Sequence, residues 1–336
     1  MKFGYLLDFR QPADLLPSDS ATFYRAMFEQ VDFVDQAGFD SIWITEHHFV
    51  EDGYLAAAMP MLAAIAARTR NVTVGSYVIL VPFYHPLRLA EDTALIDVIA
   101  NGRLRLGLGI AYRLEEFEVF GVPRKERLGR TLETIEILKR AWTGERFSFA
   151  GKYFSFKDAL VRPRPISRPY PELLWGGMAP EAIRRGARLD MGFACNLGAR
   201  EIRIFHEALR ELNKDPSDYS VVASRTVFVA DSEEEAWRTI EPYLMYQMRL
   251  YGEWLAAGQI TTGHFKPDRE ALRRGAIIGP PATVAARLGE FIANSAATEV
   301  VITSQLPGLE PAKAMRSLQR FTTEVLPALR AAPQRS

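Results

Sequence analysis

Short apolar segments rich in β-branched residues alternate with longer segments of helical periodicity along nearly the whole chain. The apolar segments predict eight strands: Phe3 to Leu7, Ser41 to Thr45, Val72 to Tyr77, Leu104 to Leu108, Leu173 to Trp175, Gly192 to Cys195, Val221 to Val229 and Val300 to Thr303. A doubly wound sheet usually ends at five or six strands, so eight repeats of strand and helix favour a closed (β/α)8 barrel. We therefore predict an α/β protein with the TIM-barrel architecture.

Two insertion segments interrupt this alternation. Residues 143–171 are rich in aromatic residues and proline, and residues 252–280 follow the seventh strand and its helix. Long insertions of this kind are often lids or binding loops. We predict one domain over residues 1–336, a barrel that carries both insertions.

Composition and charge limit the classes of partner. The 336 residues include 41 basic and 41 acidic side chains, so no global field attracts nucleic acid or an anionic membrane. The single cysteine, Cys195, excludes a disulfide framework and fits a reducing compartment. Charged residues within positions 1–20 and the lack of a run near the ~20 apolar residues of a spanning helix argue against a signal peptide and a membrane anchor. We expect a cytoplasmic protein with small-molecule partners.

Unusual polar and glycine-rich segments follow four of the predicted strands. Glu46-His47-His48 follow the second strand, His85 comes after the third, Gly109 begins the segment after the fourth, and Gly176-Gly177 follow the fifth. The loops that follow the strands of a barrel meet at one end, where active sites are built. The convergence of these segments predicts an enzyme.

The paired histidines admit three interpretations: a metal site, proton transfer, or a polar turn. Adjacent side chains on an extended backbone point to opposite faces, so His47 and His48 are poorly placed to hold one ion, and we predict no metal. An imidazole with a pKa of about 6.5 can exchange a proton near neutrality at the floor of a cleft. A turn in which the rings satisfy backbone groups is the alternative.

The stretch LLWGGMAPEAIRRGA, residues 173–187, predicts a strand, a tight glycine turn and a helix with Pro180 in its first turn. Glycines and the first amides of a helix favour an anion, so the turn is a candidate phosphate site, with a plain βα turn as the alternative. The segment LGLGIAYR lacks the third glycine and the acidic residue of a dinucleotide fold. P-loop, serine esterase and zincin motifs are also missing from the sequence.

Four segments, taken together, closely resemble the bacterial luciferase-like flavin monooxygenase family: MKFGYLLDF, GFDSIWITEHHF, HPLRLAEDTALIDVIANGRLRLGLG and EEFEVFGV. The similarity is dense from Met1 to about Val122. It continues through LLWGGMAPEAIRRGA, GPPATVAARLGEF and EVLPALR, and so spans essentially the whole chain.

The resemblance implies a TIM barrel that binds reduced FMN at the C-terminal ends of its strands. O₂ would add to the flavin to give a C4a-hydroperoxide, which oxidises an organic substrate. The chain would be the oxygenase of a two-component system, supplied by a separate NAD(P)H:flavin reductase, and a homodimer is expected. An F420-dependent oxidoreductase of the same fold, or a non-catalytic flavin-binding partner subunit, are the alternatives.

The resemblance also assigns roles to individual residues. His47 matches the catalytic imidazole, with Glu46 and His48 beside it and His85 in the H-P-L-R motif. A non-proline cis peptide that bulges behind the flavin ring is expected at Tyr77-Val78. The remaining positions that match the cofactor site are Gly109, Trp175, Gly176, Gly177, Met178, Ala179 and Asn196.

The phosphate site departs from the pattern of the light-emitting enzymes. At the position of Ile110 they carry an arginine beside the phosphate, so phosphate binding here would depend on backbone amides or on another arginine such as Arg113. Aromatic residues in and next to the second insertion, among them Tyr251, Trp254 and Phe265, predict a lid and an apolar substrate, with packing of the lid onto the barrel as the alternative.

Overall fold

The computed structural model describes residues 1–196, 198–259 and 268–331. Its strands are β1 (Lys2–Leu7), β2 (Ser41–Ile44), β3 (Thr73–Leu80), β4 (Leu104–Gly109), β5 (Phe147–Ala150), β6 (Ser155–Ala159), β7 (Glu172–Gly176), β8 (Gly192–Cys195), β9 (Val221–Val229), β10 (Ile277–Gly279) and β11 (Glu299–Thr303). Eight of them pair in parallel in the order β1-β2-β3-β4-β7-β8-β9-β11. Because β1 also pairs with β11, the sheet closes into a barrel.

Helices surround the barrel: α1 (Ser20–Gln36), α2 (Ala58–Arg68), α3 (Pro86–Ile99), α4 (Leu114–Val119), α5 (Arg127–Ala141), α6 (Pro180–Arg188), α7 (Ala199–Glu211), α8 (Glu233–Ala257), α9 (Arg269–Gly275), α10 (Pro281–Ser295), α11 (Pro311–Arg320) and α12 (Leu326–Ala331). A π-helical turn, Phe321–Val325, joins the last two. Within the described residues, no helix has both the length and the apolar character needed to cross a bilayer.

The alternation of apolar strands and amphipathic helices explains the layers. Every residue of β2 and β4 is buried, as expected for parallel strands that are covered on both faces. Helix α1 begins at the N-cap Asp19, which accepts from the backbone N–H of Thr22, and its buried Phe23, Met27 and Val31 face the barrel. The predicted (β/α)8 architecture is confirmed.

All eight predicted strands occur, and their ends shift by small amounts. The largest shift is in β3, which continues to Leu80 instead of ending at Tyr77. Three further strands were not predicted. Two of them, β5 and β6, form an antiparallel hairpin within the 143–171 insertion. The third, β10, belongs to the second insertion and pairs with the last residues of β9.

The second insertion begins later than predicted. Helix α8 does not end at Tyr251 but continues to Ala257, so Trp254 is a helical residue and not part of a loop. Pro242 lies inside this helix. Phe265, predicted to belong to a lid, lies outside the described residues.

A buried polar network joins four strands at their N-terminal ends. Glu299 at the start of β11 accepts from the indole N–H of Trp43 at 2.9 Å and pairs with Arg105 of β4. Arg105 also donates through Nε to Glu172 of β7 at 2.6 Å, and its guanidinium stacks over the Trp43 ring at 4.9 Å. Glu299 is 1% exposed and Arg105 6% exposed. This network closes the end of the barrel opposite the mouth and leaves the mouth for function.

Candidate active site

The C-terminal ends of the barrel strands form one mouth, and Glu46-His47-His48 lie directly after β2 at this mouth. The two histidine rings occupy different environments, as their adjacent positions require. His47 is buried among residues from three other elements, whereas His48 packs against the rings of Phe83 and Phe120. The site therefore contains one central imidazole, that of His47.

His47 is held by a carboxylate that its own segment does not supply. Its Nδ1 lies 2.8 Å from Oε1 of Glu116, and the backbone N–H of His48 donates to the same oxygen at 2.9 Å. Glu116 belongs to α4 and is completely buried. Because an ionised carboxylate only accepts, Nδ1 carries the hydrogen, and Nε2 of a neutral His47 has its lone pair toward the remaining space.

Aromatic rings enclose the other side of His47. The rings of Tyr54, Trp254 and Tyr112 have centroids 4.9, 5.0 and 5.3 Å from the imidazole centroid. The Tyr112 hydroxyl lies 3.3 Å from Nε2 of His47, and burial, with smaller contributions from Tyr251 and Glu116, raises the pKa of Tyr112 well above its ordinary value. Tyr112 is therefore a neutral hydroxyl that donates to Nε2.

Glu46 and His48 support the site from behind. Glu46 is buried, and its carboxylate accepts from the backbone N–H of Leu80 at 2.6 Å and from the Tyr84 hydroxyl. Nε2 of His48 lies 3.6 Å from the same carboxylate. Burial and the charge of Glu46 raise the pKa of Tyr84, which keeps this hydroxyl protonated as a donor. These contacts fix the end of β2 to the end of β3.

His85 is set apart from this group. It precedes α3, is exposed, and packs its ring edge-on against Phe154 of the inserted hairpin at a centroid distance of 6.0 Å. The catalytic role of His85 stays a prediction.

The predicted cis peptide is present. The bond between Tyr77 and Val78 is cis, and the pairing of β3 with β4 shifts register between Ser76 and Ile79, so the chain bulges at the predicted position. Tyr77 turns its side chain into the barrel, where its hydroxyl donates to the backbone oxygen of Val222 at 3.0 Å. Val78 is half-buried.

Glycines on two neighbouring strands make room for this bulge. A Cβ on Gly109 would lie 2.5 Å from Cγ2 of Val78, and a Cβ on Gly176 would lie 2.9 Å from Cγ1. Gly107 has the same close approach, at 2.9 Å. The backbone of β4 and β7 therefore packs directly against the bulge, which no other residue type would permit.

The glycine turn after β7 leads into α6, as predicted. Ala179 is the N-cap of α6, and it offers no side chain to accept from the first amides of the helix. Met178 packs partly onto the core. Trp175 does not face the mouth: it is fully buried beneath the turn, and its indole N–H donates to the Ala182 oxygen at 2.9 Å. The Trp175 side chain thus supports the turn, and its predicted contact with the cofactor stays a prediction.

Asn196 directly follows β8, the strand that neighbours β7 in the barrel. Its side chain is exposed, and Oδ1 accepts from the Ser224 hydroxyl at 2.9 Å. The part of the cofactor site predicted here stays a prediction.

Two arginines near the mouth differ in how they are neutralised. Arg113 pairs with Glu115, donates to the backbone oxygens of His48 and Phe49, and stacks on Trp254, so it does not supply the predicted phosphate contact. Arg127 pairs with no carboxylate within the described residues. Burial lowers the pKa of Arg127, and the like charge of Arg124 lowers it further. An anion bound beside Arg124 and Arg127 would relieve this repulsion.

Three features of the site were not predicted from the sequence: Glu116, Tyr112, and the neighbouring arginines Arg124 and Arg127. Glu116 lies in the quoted segment EEFEVFGV after the fourth strand, so its position in a loop at the mouth was the available signal. The described part of the chain contains no group of three His, Cys, Asp or Glu side chains arranged to hold a metal ion.

A family model described as luciferase-like monooxygenase matches residues 1–299. The chain belongs to this family. The match covers the His47 segment, the cis-peptide strand and the glycine turn. Because the relatives are monooxygenases and F420-dependent oxidoreductases, the chain is an oxidoreductase, as the sequence predicted.

Members of the family with different cofactors resemble the chain over most of its length. The oxygenase component of a flavin-dependent trigonelline monooxygenase from Acinetobacter baylyi is 27% identical, over 91% of this chain and 89% of its own. An F420-dependent glucose-6-phosphate dehydrogenase from Kineococcus radiotolerans is 28% identical, over 91% and 96%. The oxygenating constituent of the 3,6-diketocamphane monooxygenase of Pseudomonas putida, solved with FMN, has the same fold, with a TM-score of 0.80, 22% identity and full coverage of both chains.

Proposed function

We propose that this family member is the oxygenase of a two-component system, which uses reduced FMN and O₂ to oxidise a small, largely apolar organic substrate. The observation that carries the proposal is the buried pair of His47 and Glu116 at the mouth of a barrel whose strand β3 bulges at Tyr77-Val78. The full-length similarity to an enzyme named as an oxygenase component supports it. So does the lack of a nicotinamide motif in the sequence, since reduced flavin would then come from an NAD(P)H:flavin reductase.

The residues present fit FMN. The bulge at Tyr77-Val78 offers a platform for the flat ring, and the turn Gly176-Gly177 with the uncapped start of α6 offers amides for the phosphate. Reduced FMN would supply the two electrons that a monooxygenase needs to place one oxygen atom of O₂ in the substrate and release the other as water.

The protein side chains would manage protons and exclude water. Glu116 orients His47 through Nδ1, so that Nε2 can accept a proton from, or return one to, the reacting oxygen. Tyr112 lies within reach of Nε2 as a second donor. The rings of Tyr54, Trp254 and Tyr112 keep this space apolar, which slows loss of the oxidising power as hydrogen peroxide.

An F420-dependent oxidoreductase is the second candidate, because an F420-dependent relative matches over 91% of the chain. Anaerobic titration of the protein with reduced FMN and with reduced F420, followed by rapid mixing with O₂, distinguishes the two. We expect tight binding of reduced FMN, and reoxidation slower than that of free flavin. Binding of F420 alone, with substrate conversion in the absence of O₂, would overturn the oxygenase proposal.

The His47→Ala variant completes this test. It should bind FMN with nearly unchanged affinity and lose most coupled oxidation, on the order of a hundredfold, because general acid–base catalysis contributes about that much. Unchanged coupled turnover would remove His47 from the mechanism. The predicted homodimer is part of the proposal and is checked by light scattering of the same preparations.

A further inference from the structure

Arg10 is a buried cation that the proposed oxidation does not use. It follows β1 at the mouth and is 1% exposed. Asp8 occupies one edge of its guanidinium, accepting from Nε at 2.9 Å and pairing with Nη2. The other amino group, Nη1, has no hydrogen-bond partner within the described residues. A buried donor without a partner is costly, so this edge is suited to a ligand.

The rings around Arg10 are also those around His47. The guanidinium lies 4.7 Å from the ring centroid of Tyr54 and 5.5 Å from that of Tyr251, and the same rings lie 4.9 and 6.5 Å from His47. The hydroxyls of Tyr54 and Tyr251 are 2.9 Å apart. Tyr54 and Tyr251 therefore connect Arg10 to the aromatic cluster around His47.

Topology separates Arg10 from the cofactor phosphate. In the order around the barrel, β1 and β7 are four strands apart in either direction, so the loops that follow them lie on opposite sides of the mouth. The β1 loop also borders a cleft of about 480 Å³, lined by Pro12 and Leu15 and by Met245 and Tyr246 of α8. A ligand of Arg10 would therefore be the substrate and not the phosphate.

The acidic side chains beside Arg10 favour an uncharged oxygen on the substrate over a carboxylate. Arg10 is already neutralised by Asp8, and a second buried carboxyl, Asp52, lies close by and accepts from the Tyr246 hydroxyl at 3.0 Å. Burial raises the pKa of Asp52, while Arg10 and Tyr246 oppose this effect. A substrate carboxylate would add a negative charge to two acidic neighbours, whereas an uncharged carbonyl oxygen would satisfy Nη1 without that repulsion.

We propose that Arg10 is a specificity-determining residue whose free Nη1 edge binds an uncharged carbonyl oxygen of an otherwise apolar or aromatic substrate. This inference rests on the proposed function, because it names the substrate class for the same site. The aromatic walls formed by Tyr54, Tyr251 and Trp254 favour a flat apolar body attached to that carbonyl group.

Equilibrium dialysis of three matched probes tests the proposal: acetophenone, ethylbenzene and benzoate, each with the FMN-loaded protein and with the FMN-free protein. We expect acetophenone to bind about tenfold more tightly than either of the others. Only its carbonyl oxygen gives the buried, charged Nη1 group a hydrogen bond without adding charge, and one such bond changes the dissociation constant by about this factor. In Arg10→Lys, which keeps the charge that Asp8 needs but lacks the second donor edge, this preference should fall to about parity while FMN affinity stays unchanged.

Further variants separate a specific role of Arg10 in binding from a general loss of structure. Arg140→Lys, on the exposed face of α5, should leave all three affinities unchanged. If Arg10→Lys does not unfold cooperatively, the neutral pair Asp8→Asn with Arg10→Met replaces it. The proposal is overturned if the unchanged protein shows no ketone preference, if benzoate binds best, if the preference survives in the Arg10 variants, or if FMN affinity falls with it. Failure to bind FMN would contradict the proposed function instead, and it would be seen independently of the probes.

Discussion

At the scale of single residues, the function of the site depends on the carboxylate that holds His47. Glu116 accepts from both Nδ1 of His47 and the backbone N–H of His48, and is completely buried. Such a carboxylate fixes the tautomer and stabilises the protonated ring. Glu116 touches neither substrate nor cofactor in this arrangement, so it is a positioning residue.

We expect Glu116→Gln to lower coupled oxidation by about a hundredfold with FMN affinity retained, because the ring loses its charged partner. The loss should appear in kcat with the substrate KM retained, because the change disturbs the orientation of the imidazole and not the wall that binds the substrate. Glu118→Gln, two residues further along α4 but exposed, serves as the control. A kcat equal to that of the unchanged enzyme would show that Glu116 is only structural.

A second prediction at this scale concerns the close packing of Gly109 against the bulge. An added Cβ would lie 2.5 Å from Val78, so Gly109→Ala must displace the bulge. We expect FMN affinity to fall at least tenfold and stability to fall by about 1–3 kcal/mol, as for other overpacked positions. Flavin fluorescence titration and urea unfolding measure the two effects.

The control for Gly109 is Gly289→Ala in α10. There the nearest atom to an added Cβ is 3.8 Å away, and alanine is the better helix former, so neither FMN affinity nor stability should decrease. Equal FMN affinity in Gly109→Ala and the unchanged protein would contradict a role of the bulge in binding the cofactor.

At the scale of elements, α8 covers the mouth. Its N-cap Ser232 accepts from the backbone N–H of Glu235, and its far end is fixed by Arg124, which donates to the Gly258 oxygen at 2.7 Å. Between these ends, Tyr246 and Trp254 reach into the site. A helix anchored at both ends is well suited to keep water from the reacting groups.

We expect Trp254→Leu to increase the share of O₂ that is released as hydrogen peroxide, because the smaller side chain opens the space beside His47 to water. Peroxide and oxidised product are measured in the same reaction. Glu253→Leu introduces the same side chain on the exposed face of α8 and should leave the peroxide share unchanged. An equal share in both variants would exclude this sealing role.

At the scale of the whole molecule, the barrel is joined across its interior by Glu299 and Arg105 at the end opposite the mouth. Removal of Glu299 leaves the buried Arg105 with the partly exposed Glu172 as its remaining charge partner, and the loss of one partner of a buried pair costs about 3–5 kcal/mol. We therefore expect Glu299→Leu to lower the free energy of unfolding by about this amount, measured by urea denaturation.

The double variant Arg105→Met with Glu299→Leu should recover a large part of this loss, because no buried charge is left unpaired and Glu172, the other partner of Arg105, is partly exposed to water. The exposed pair of Arg140 and Glu136 provides the comparison, since Glu136→Leu should change stability by less than about 1 kcal/mol. A double variant less stable than Glu299→Leu alone would show that the pair contributes more than mutual neutralisation.

Much of this architecture could be predicted because its signals are local. The period of apolar residues distinguished strands from helices over short windows, and eight repeats favoured a closed barrel. Resemblance to the family placed the Tyr77-Val78 cis peptide at its observed position. Short elements were not predicted. Helix α4 has six residues, and the strands β5, β6 and β10 have three to five residues each and lie within the insertions.

The sequence by itself determined the succession of strands and helices and the segments that reach the mouth, because both follow from the spacing of residues along the chain. Only the tertiary structure decided which side chains meet there. Glu116 reaches His47 across 69 positions, and Tyr251 reaches Tyr54 across 197. His85 was as well placed in the sequence as these residues, yet the ring it packs against is that of Phe154 in the inserted hairpin. Such contacts depend on how the closed barrel and its packed helices orient loops that are distant in the sequence. A local sequence pattern does not contain this information.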